Sequence, residues 1–192
     1  MDYTLAIEGA PDSVPGGTGI MLLHPSTGET DRIDTEFLSV DADHLFVLST
    51  RTTAREVQQK LEYYGVDESK AVILDTLSIE RGYARRAGEN VRYVASPEDL
   101  EGVVDKLEEF LASNDGKQRV SVDSVTEMAY YADEQRTREA VERMLDLLAE
   151  YDAIGIFHVA EEVHDQAVLD GYRELFDGVI HLREDGTVEC DF

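Results

Sequence analysis

Ser26, Thr27, Gly28 and Thr30 lie close together in the chain. Hydroxyls and a glycine so grouped can wrap backbone N–H groups around a phosphate and offer an oxygen to its counter-ion. They end the stretch Gly19-Ile20-Met21-Leu22-Leu23-His24-Pro25-Ser26-Thr27-Gly28-Glu29-Thr30, an apolar run that breaks into Pro-Ser-Thr-Gly. Strand, glycine-bearing turn and helix is the layout of a phosphate-binding loop, whose pattern is G-x-x-x-x-G-K-[ST]. Pro25 and Ser26 supply the turn, Gly28 the second glycine and Thr30 the hydroxyl. Leu23 stands where the first glycine would be, or His24 does if one residue is deleted, and Glu29 replaces the lysine.

That last exchange reverses a charge. A carboxylate about 4 Å from a phosphate, at an effective dielectric of about 20, repels it by on the order of 4 kcal/mol where the lysine would attract it. Molar salt shortens the screening length to about 3 Å and softens the repulsion, but restores no donor.

Other residues could carry chemistry. Asp123 ends the apolar Arg119–Asp123 run, where it can cap the next turn through Ser124 or Thr126. His158, Glu161 and His164 lie three apart, followed by Asp165, and such residues could form a carboxylate–imidazole metal site. The spacing is not HExxH; the plainer expectation puts His158 at a strand end, satisfied by backbone, and His164 in the following loop. Arg81, Arg85 and Arg86 form the basic cluster of the sequence and could grip a phosphate or an acidic partner, or sit in a solvated loop. Met128, Tyr130 and Tyr131 fit either a contact patch or core.

The elements that must position these groups alternate. Gly19–Leu23, His44–Ser49, Ala71–Leu74, Arg119–Asp123 and Ile154–His158 read as strands, and continuous apolar runs suit a sheet covered on both faces. Arg92–Ala95 is a short extended piece. Helices are expected at Asp31–Leu38 and from the capping box Thr53-Ala54-Arg55-Glu56 to about Tyr64, with Gly65 as its stop. Further helices are expected from Ser96-Pro97 to Ala112, at 134–150 and at Gln166–Phe176. Val179–Leu182 and Val188–Cys190 close as a hairpin around Glu184-Asp185-Gly186. This order predicts an α/β fold: a mostly parallel sheet, helices on both faces and right-handed crossovers. Residues 1–17 read as an N-terminal lead-in and 18–192 as a single domain.

The 192 residues carry 42 acidic side chains against 17 basic ones, a formal net charge of -25. Only four of the basic residues are lysines: Lys60, Lys70, Lys106 and Lys117. Acidity spread along the whole chain with little lysine is expected of a cytoplasm at molar salt, where screening removes the self-repulsion. Such a surface repels phosphate backbones, which disfavours direct nucleic-acid binding. The one cysteine, Cys190, excludes an intrachain disulfide. Neither a membrane span nor a basic-then-apolar leader is legible, so a soluble, cytoplasmic protein is expected.

Four blocks in order carry a resemblance: VPGGTGIMLLHPSTGET, HLFVLSTRTTAREVQQKLEYYGVD, RVSVDSVTEMAYYAD and IGIFHVAEEVHDQAVLDGYRELFDGVIHL, covering about residues 15–183. The chain resembles the RecA-like P-loop fold in its KaiC-like branch, especially the degenerate KaiC-like proteins of haloarchaea. The resemblance implies a three-layer RecA-like (P-loop NTPase) fold ending in the C-terminal hairpin. It implies that Asp123 matches the Walker B aspartate that holds Mg²⁺ through water, and that Thr30 matches the hydroxyl binding the same ion. Ser26, Thr27, Gly28, Thr30 and Asp123 are then a vestigial nucleotide site with a degenerate Walker A motif. Active members place a water-activating carboxylate near Ser49-Thr50, where this chain has none.

The functional expectation is a non-catalytic pseudo-ATPase that regulates or scaffolds other proteins without a cofactor. By fold analogy its partners include itself, as a homo-oligomer, or an active KaiC-like homologue. The alternative is a switch that binds ATP and Mg²⁺ without hydrolysis. A metal-dependent hydrolase at His158 and His164 is a third reading.

Overall fold

The computed structural model describes residues 1–82 and 88–192. Two short strands, β1 (Asp2–Thr4) and β2 (Ser13–Pro15), pair antiparallel. Their inward residues Tyr3 and Val14 are buried. The Tyr3 hydroxyl donates to the Asp152 carbonyl (2.8 Å) and accepts the Gln118 N–H (3.1 Å). The lead-in segment is thus fastened to the body.

The main sheet comprises β3 (Gly19–His24), β4 (His44–Ser49), β5 (Ala71–Asp75), β6 (Val91–Tyr93), β7 (Gln118–Asp123), β8 (Ile154–Ala160), β9 (Gly178–Leu182) and β10 (Val188–Asp191). Its order is β10-β9-β3-β8-β7-β4-β5-β6. Every neighbouring pair is parallel except the β9–β10 hairpin.

The period-2 alternation of side chains divides the core in two. Met21, Leu23, Phe46, Leu48, Val120, Val122, Phe157 and Val159 face α3 (Leu100–Ser113), α4 (Val125–Tyr131), α5 (Glu134–Glu150) and α6 (Gln166–Arg173). Ile20, Leu22, Leu45, Val47, Ile154 and Ile156 face α1 (Asp31–Ser39), α2 (Ala54–Tyr63) and the β1–β2 pair. The result is the expected three-layer α/β architecture.

Local chemistry sets most of the boundaries. Both halves of the Thr53/Glu56 capping box form, and Gly65 follows α2 at φ +71°, a conformation that favours glycine. Three helices depart from expectation: α6 ends at Arg173, short of Phe176, and α3 and α4 differ as well. Helix α3 begins at Leu100, not near Ser96, because the Asp99 carboxylate caps it by accepting the Gly102 N–H (3.0 Å). Helix α4 was not anticipated, although Ser124-Val125-Thr126-Glu127 carries a capping-box signature and the Ser124 hydroxyl accepts the Glu127 N–H. It buries Met128 and leaves Tyr130 exposed.

Candidate functional site

The carboxyl ends of β3, β4, β7 and β8 meet beneath the loop that joins β3 to α1. The loop opens with a turn in which the Gly28 N–H donates to the Pro25 carbonyl (2.8 Å). A Cβ on Gly28 would stand 3.0 Å from that oxygen, a tight approach that favours glycine. Pro25 and Thr30 are buried, Ser26, Thr27 and Glu29 are exposed, and Gly28 is half-buried. The Ser26 N–H donates to Glu162 Oε2 (2.8 Å) from the turn after β8.

Gly28, Thr30 and Asp123 come together around a cleft of about 410 Å³, which Arg51 and Lys60 also line. Thr27 and Gly28 also border a second cleft of about 790 Å³, with Arg32, Tyr64 and Arg183. Of the expected site residues, Ser26 alone lines neither.

Asp123 does not cap the turn after β7; Ser124 does. Its carboxylate pairs instead with Arg51, Nε to Oδ1 at 2.8 Å and Nη2 to Oδ2 at 3.0 Å. Burial would raise the Asp123 carboxyl, but His158 and Arg51 outweigh it and hold the group below its ordinary value. Ser49 and Thr50, at the end of β4, are turned inward. The Ser49 hydroxyl bonds the Thr52 carbonyl and hydroxyl. The Thr50 hydroxyl donates to the Asp123 carbonyl (3.0 Å) and accepts the Ser124 N–H (2.8 Å).

Behind this cleft lies a buried ionic centre that sequence reading missed. Asp34, wholly buried on α1, accepts from the Lys60 ammonium (2.9 Å) and the Ser121 hydroxyl (2.5 Å), and its Oδ1 lies 3.0 Å from His158 Nε2. Desolvation pushes the Asp34 carboxyl up, yet Lys60, His158 and Ser121 together pull it far below the usual carboxylate range. Burial lowers the Lys60 ammonium, but Asp34 wins and holds it above its ordinary value. His158 is therefore not satisfied by backbone: it sits within β8, fully buried, and its partner is a carboxylate.

A carbonyl only accepts, so the bond from His24 Nδ1 to the Pro25 carbonyl (2.8 Å) puts the proton on Nδ1 and leaves Nε2 bare. His24 Nε2 and His158 Nδ1 are buried without hydrogen-bond partners among the described residues. His158 Nδ1 lies 3.9 Å from Asp123 Oδ1. Burial first, with His158 and Arg51 nearby, pushes His24 down to about 4.

The second histidine of the expected pair is elsewhere. His164 bonds the Thr126 hydroxyl (3.0 Å) and Glu134 (2.7 Å), and Glu134 also accepts the Tyr172 hydroxyl (2.7 Å). His158 and His164 do not converge, and among the described residues no group of three His, Cys, Asp or Glu side chains is arranged to hold a metal ion. Arg85 and Arg86 lie outside the described residues. No helix among the described residues is long and apolar enough to cross a membrane.

Strand order, loop position and strand-end site together define the class: the fold is that of KaiC-like and RecA-like P-loop ATPase domains. The KaiC-like protein PH0186 from the hyperthermophilic archaeon Pyrococcus horikoshii OT3 superposes with a TM-score of 0.71 at 16% identity, over 99% of this chain and 85% of that one. An ATPase from the type III secretion system of pathogenic bacteria follows at TM-score 0.66 and 17% identity, over 96% of this chain and 57% of that one. A further Pyrococcus horikoshii OT3 protein, PH0250, gives 0.58 at 12% identity, over 91% and 87%. Likeness at such identities shows the fold alone. A family model matches residues 1–192, and the chain belongs to that family, DUF7090, a family of unknown function. No curated protein sequence matches the chain.

Proposed function

We propose that the chain is a non-catalytic RecA-like, KaiC-like domain with a broken Walker A loop, acting as a regulatory or scaffolding module that binds other proteins in a high-salt cytoplasm of the haloarchaeal type. The observation that carries this reading is the Arg51–Asp123 ion pair. Asp123 is the residue that would hold Mg²⁺ in an active member, and here a guanidinium neutralises it. A metal needs that carboxylate free, so these residues do not fit Mg²⁺. Glu29 in place of the lysine and the hydroxyls of Ser49 and Thr50 in place of a base point the same way. Partners of the kind the fold suggests are a second copy or an active homologue.

The test is a melting experiment in molar KCl with ATP, ADP or GTP and Mg²⁺. A nucleotide at about 100 times its dissociation constant would stabilise the fold by roughly 2.7 kcal/mol. In a domain of this size that is a rise of several degrees. The expected result is no rise. A rise that Thr30→Ala with Asp123→Ala removes would replace the scaffold reading with a nucleotide-bound switch. That second reading draws on the cleft of about 790 Å³ beside the loop, where Tyr64, Arg32 and Arg183 could meet a nucleotide.

A further inference from the structure

Two charged side chains of opposite sign are seated near the loop. Glu162 presents its carboxylate to the Ser26 N–H at 2.8 Å. Arg51 presents its guanidinium to Asp123 at the end of β7, in the cleft that Gly28 and Thr30 line. An anionic ligand with its counter-cation would bring the same two charges: an anion to the loop amides and a cation to Asp123. The neighbouring Glu161 is tied to His181 (2.9 Å), which fixes the turn that carries Glu162. Below Asp123, the buried Nδ1 of His158 lies 3.9 Å from Oδ1 and has no hydrogen-bond partner among the described residues.

We infer that the loop is autoinhibited by its own chain: Glu162 stands in for a bound anion at the Ser26 amide and Arg51 for the cation at Asp123. This rests on the reading of the domain as non-catalytic and adds a device that would keep phosphate off the loop. Hydrogen bonding from Ser26 holds the Glu162 carboxyl below its ordinary value, as expected of a carboxylate kept charged at an amide. Glu162 is exposed, so truncating it removes the plug without opening the core.

The experiment removes the repelling Glu29 first and then the Glu162 plug. Inorganic tripolyphosphate is titrated in molar KCl into the wild type, Glu29→Lys and Glu29→Lys/Glu162→Ala, with melting temperature and the Ser26 amide resonance as readouts. A charge-assisted hydrogen bond of roughly 1.5–3 kcal/mol corresponds to about tenfold or more in affinity, so the double variant should bind at least about tenfold more tightly than Glu29→Lys, with the Ser26 resonance shifting on titration. Equal affinity of the two variants, or silence of a folded double variant, overturns the plug and leaves the non-catalytic reading standing. A wild type that binds Mg²⁺–ATP overturns the plug and replaces the scaffold reading with the nucleotide-bound switch.

Discussion

The Lys60 ammonium of α2 lies 2.9 Å from Oδ2 of Asp34, a carboxylate of α1 with no solvent exposure. This contact ties together the two helices that flank the loop, and Ser121 and His158 extend it to β7 and β8. Breaking a buried ion pair from one side costs about 3–5 kcal/mol, because the other charge stays buried and alone. Asp34→Ala and Lys60→Met should each cost about that much in urea unfolding at molar KCl. The double variant Asp34→Leu/Lys60→Met should recover a large part of it. Single variants within about 0.5 kcal/mol of the wild type, the range of ordinary surface substitutions, would show that the pair is not a structural centre.

Stability should also fall with pH in a definite window. His24 has a folded value of about 4 against an ordinary 6.5. Between those values the unfolded chain binds a proton that the folded chain refuses, so the contribution is intact above about 6.5 and is lost as pH falls towards about 4, at up to about 1.4 kcal/mol per pH unit. Asp34 acts in a lower window: its depressed value adds stability above the ordinary carboxylate range, lost as pH falls through its folded value. His24→Asn, which keeps a donor for the Pro25 carbonyl, should flatten the upper slope and leave the lower one. An unchanged slope between 6.5 and 4 would exclude His24 as its source.

The strands and most helices were legible because each rests on local chemistry: apolar runs, the Thr53/Glu56 box, the glycine after Tyr64. The ionic centre was not. Asp34, Lys60, Ser121 and His158 are far apart in sequence, and only the parallel crossovers bring them together. Asp34 is an acid in the first turn of α1, a place that suits an exposed carboxylate, yet it lies on the helix face of Ile33, Phe37 and Leu38. A faint signal was present in Arg119-Val120-Ser121-Val122-Asp123, where every second residue is polar although both neighbours of β7 are buried strands. That alternation marks a polar seam on one sheet face. Arg119 occupies it as well, wholly buried, donating to the carbonyls of Phe37 (3.0 Å) and Thr4 (2.7 Å).

The net charge of -25 sets the response to salt. Acidic residues spread over the surface repel one another, and their repulsion falls as the screening length shrinks from about 10 Å at 0.1 M to about 3 Å at 1 M. The melting temperature should therefore climb steeply as KCl rises from dilute buffer to molar concentration. The buried Asp34–Lys60 pair is screened far less, so Asp34→Ala should lower the curve without changing its slope. A curve that is flat in the wild type would mean the acidic surface is no adaptation to salt.

Catalysis is the sharpest test. Hydrolysis in this fold needs charge stabilisation at the outer phosphates and a carboxylate to activate water. On the proposed reading, Glu29 takes the lysine position. At the end of β4, Ser49 is bonded to Thr52 and Thr50 to the Asp123–Ser124 backbone, and on the proposed non-catalytic reading neither the loop nor the strand end supplies what the reaction requires. Asp123 is engaged by Arg51. The purified protein should therefore release phosphate from ATP no faster than buffer. Glu29→Lys should not change that, because restoring the cation supplies no base. A triple exchange would be needed before turnover is expected: Glu29→Lys for the cation, Arg51→Ala to free Asp123, and Ser49→Glu for the base. Steady turnover by the wild type that disappears in Asp123→Asn would show that Asp123 still works with a metal, and the domain would then have to be read as an enzyme.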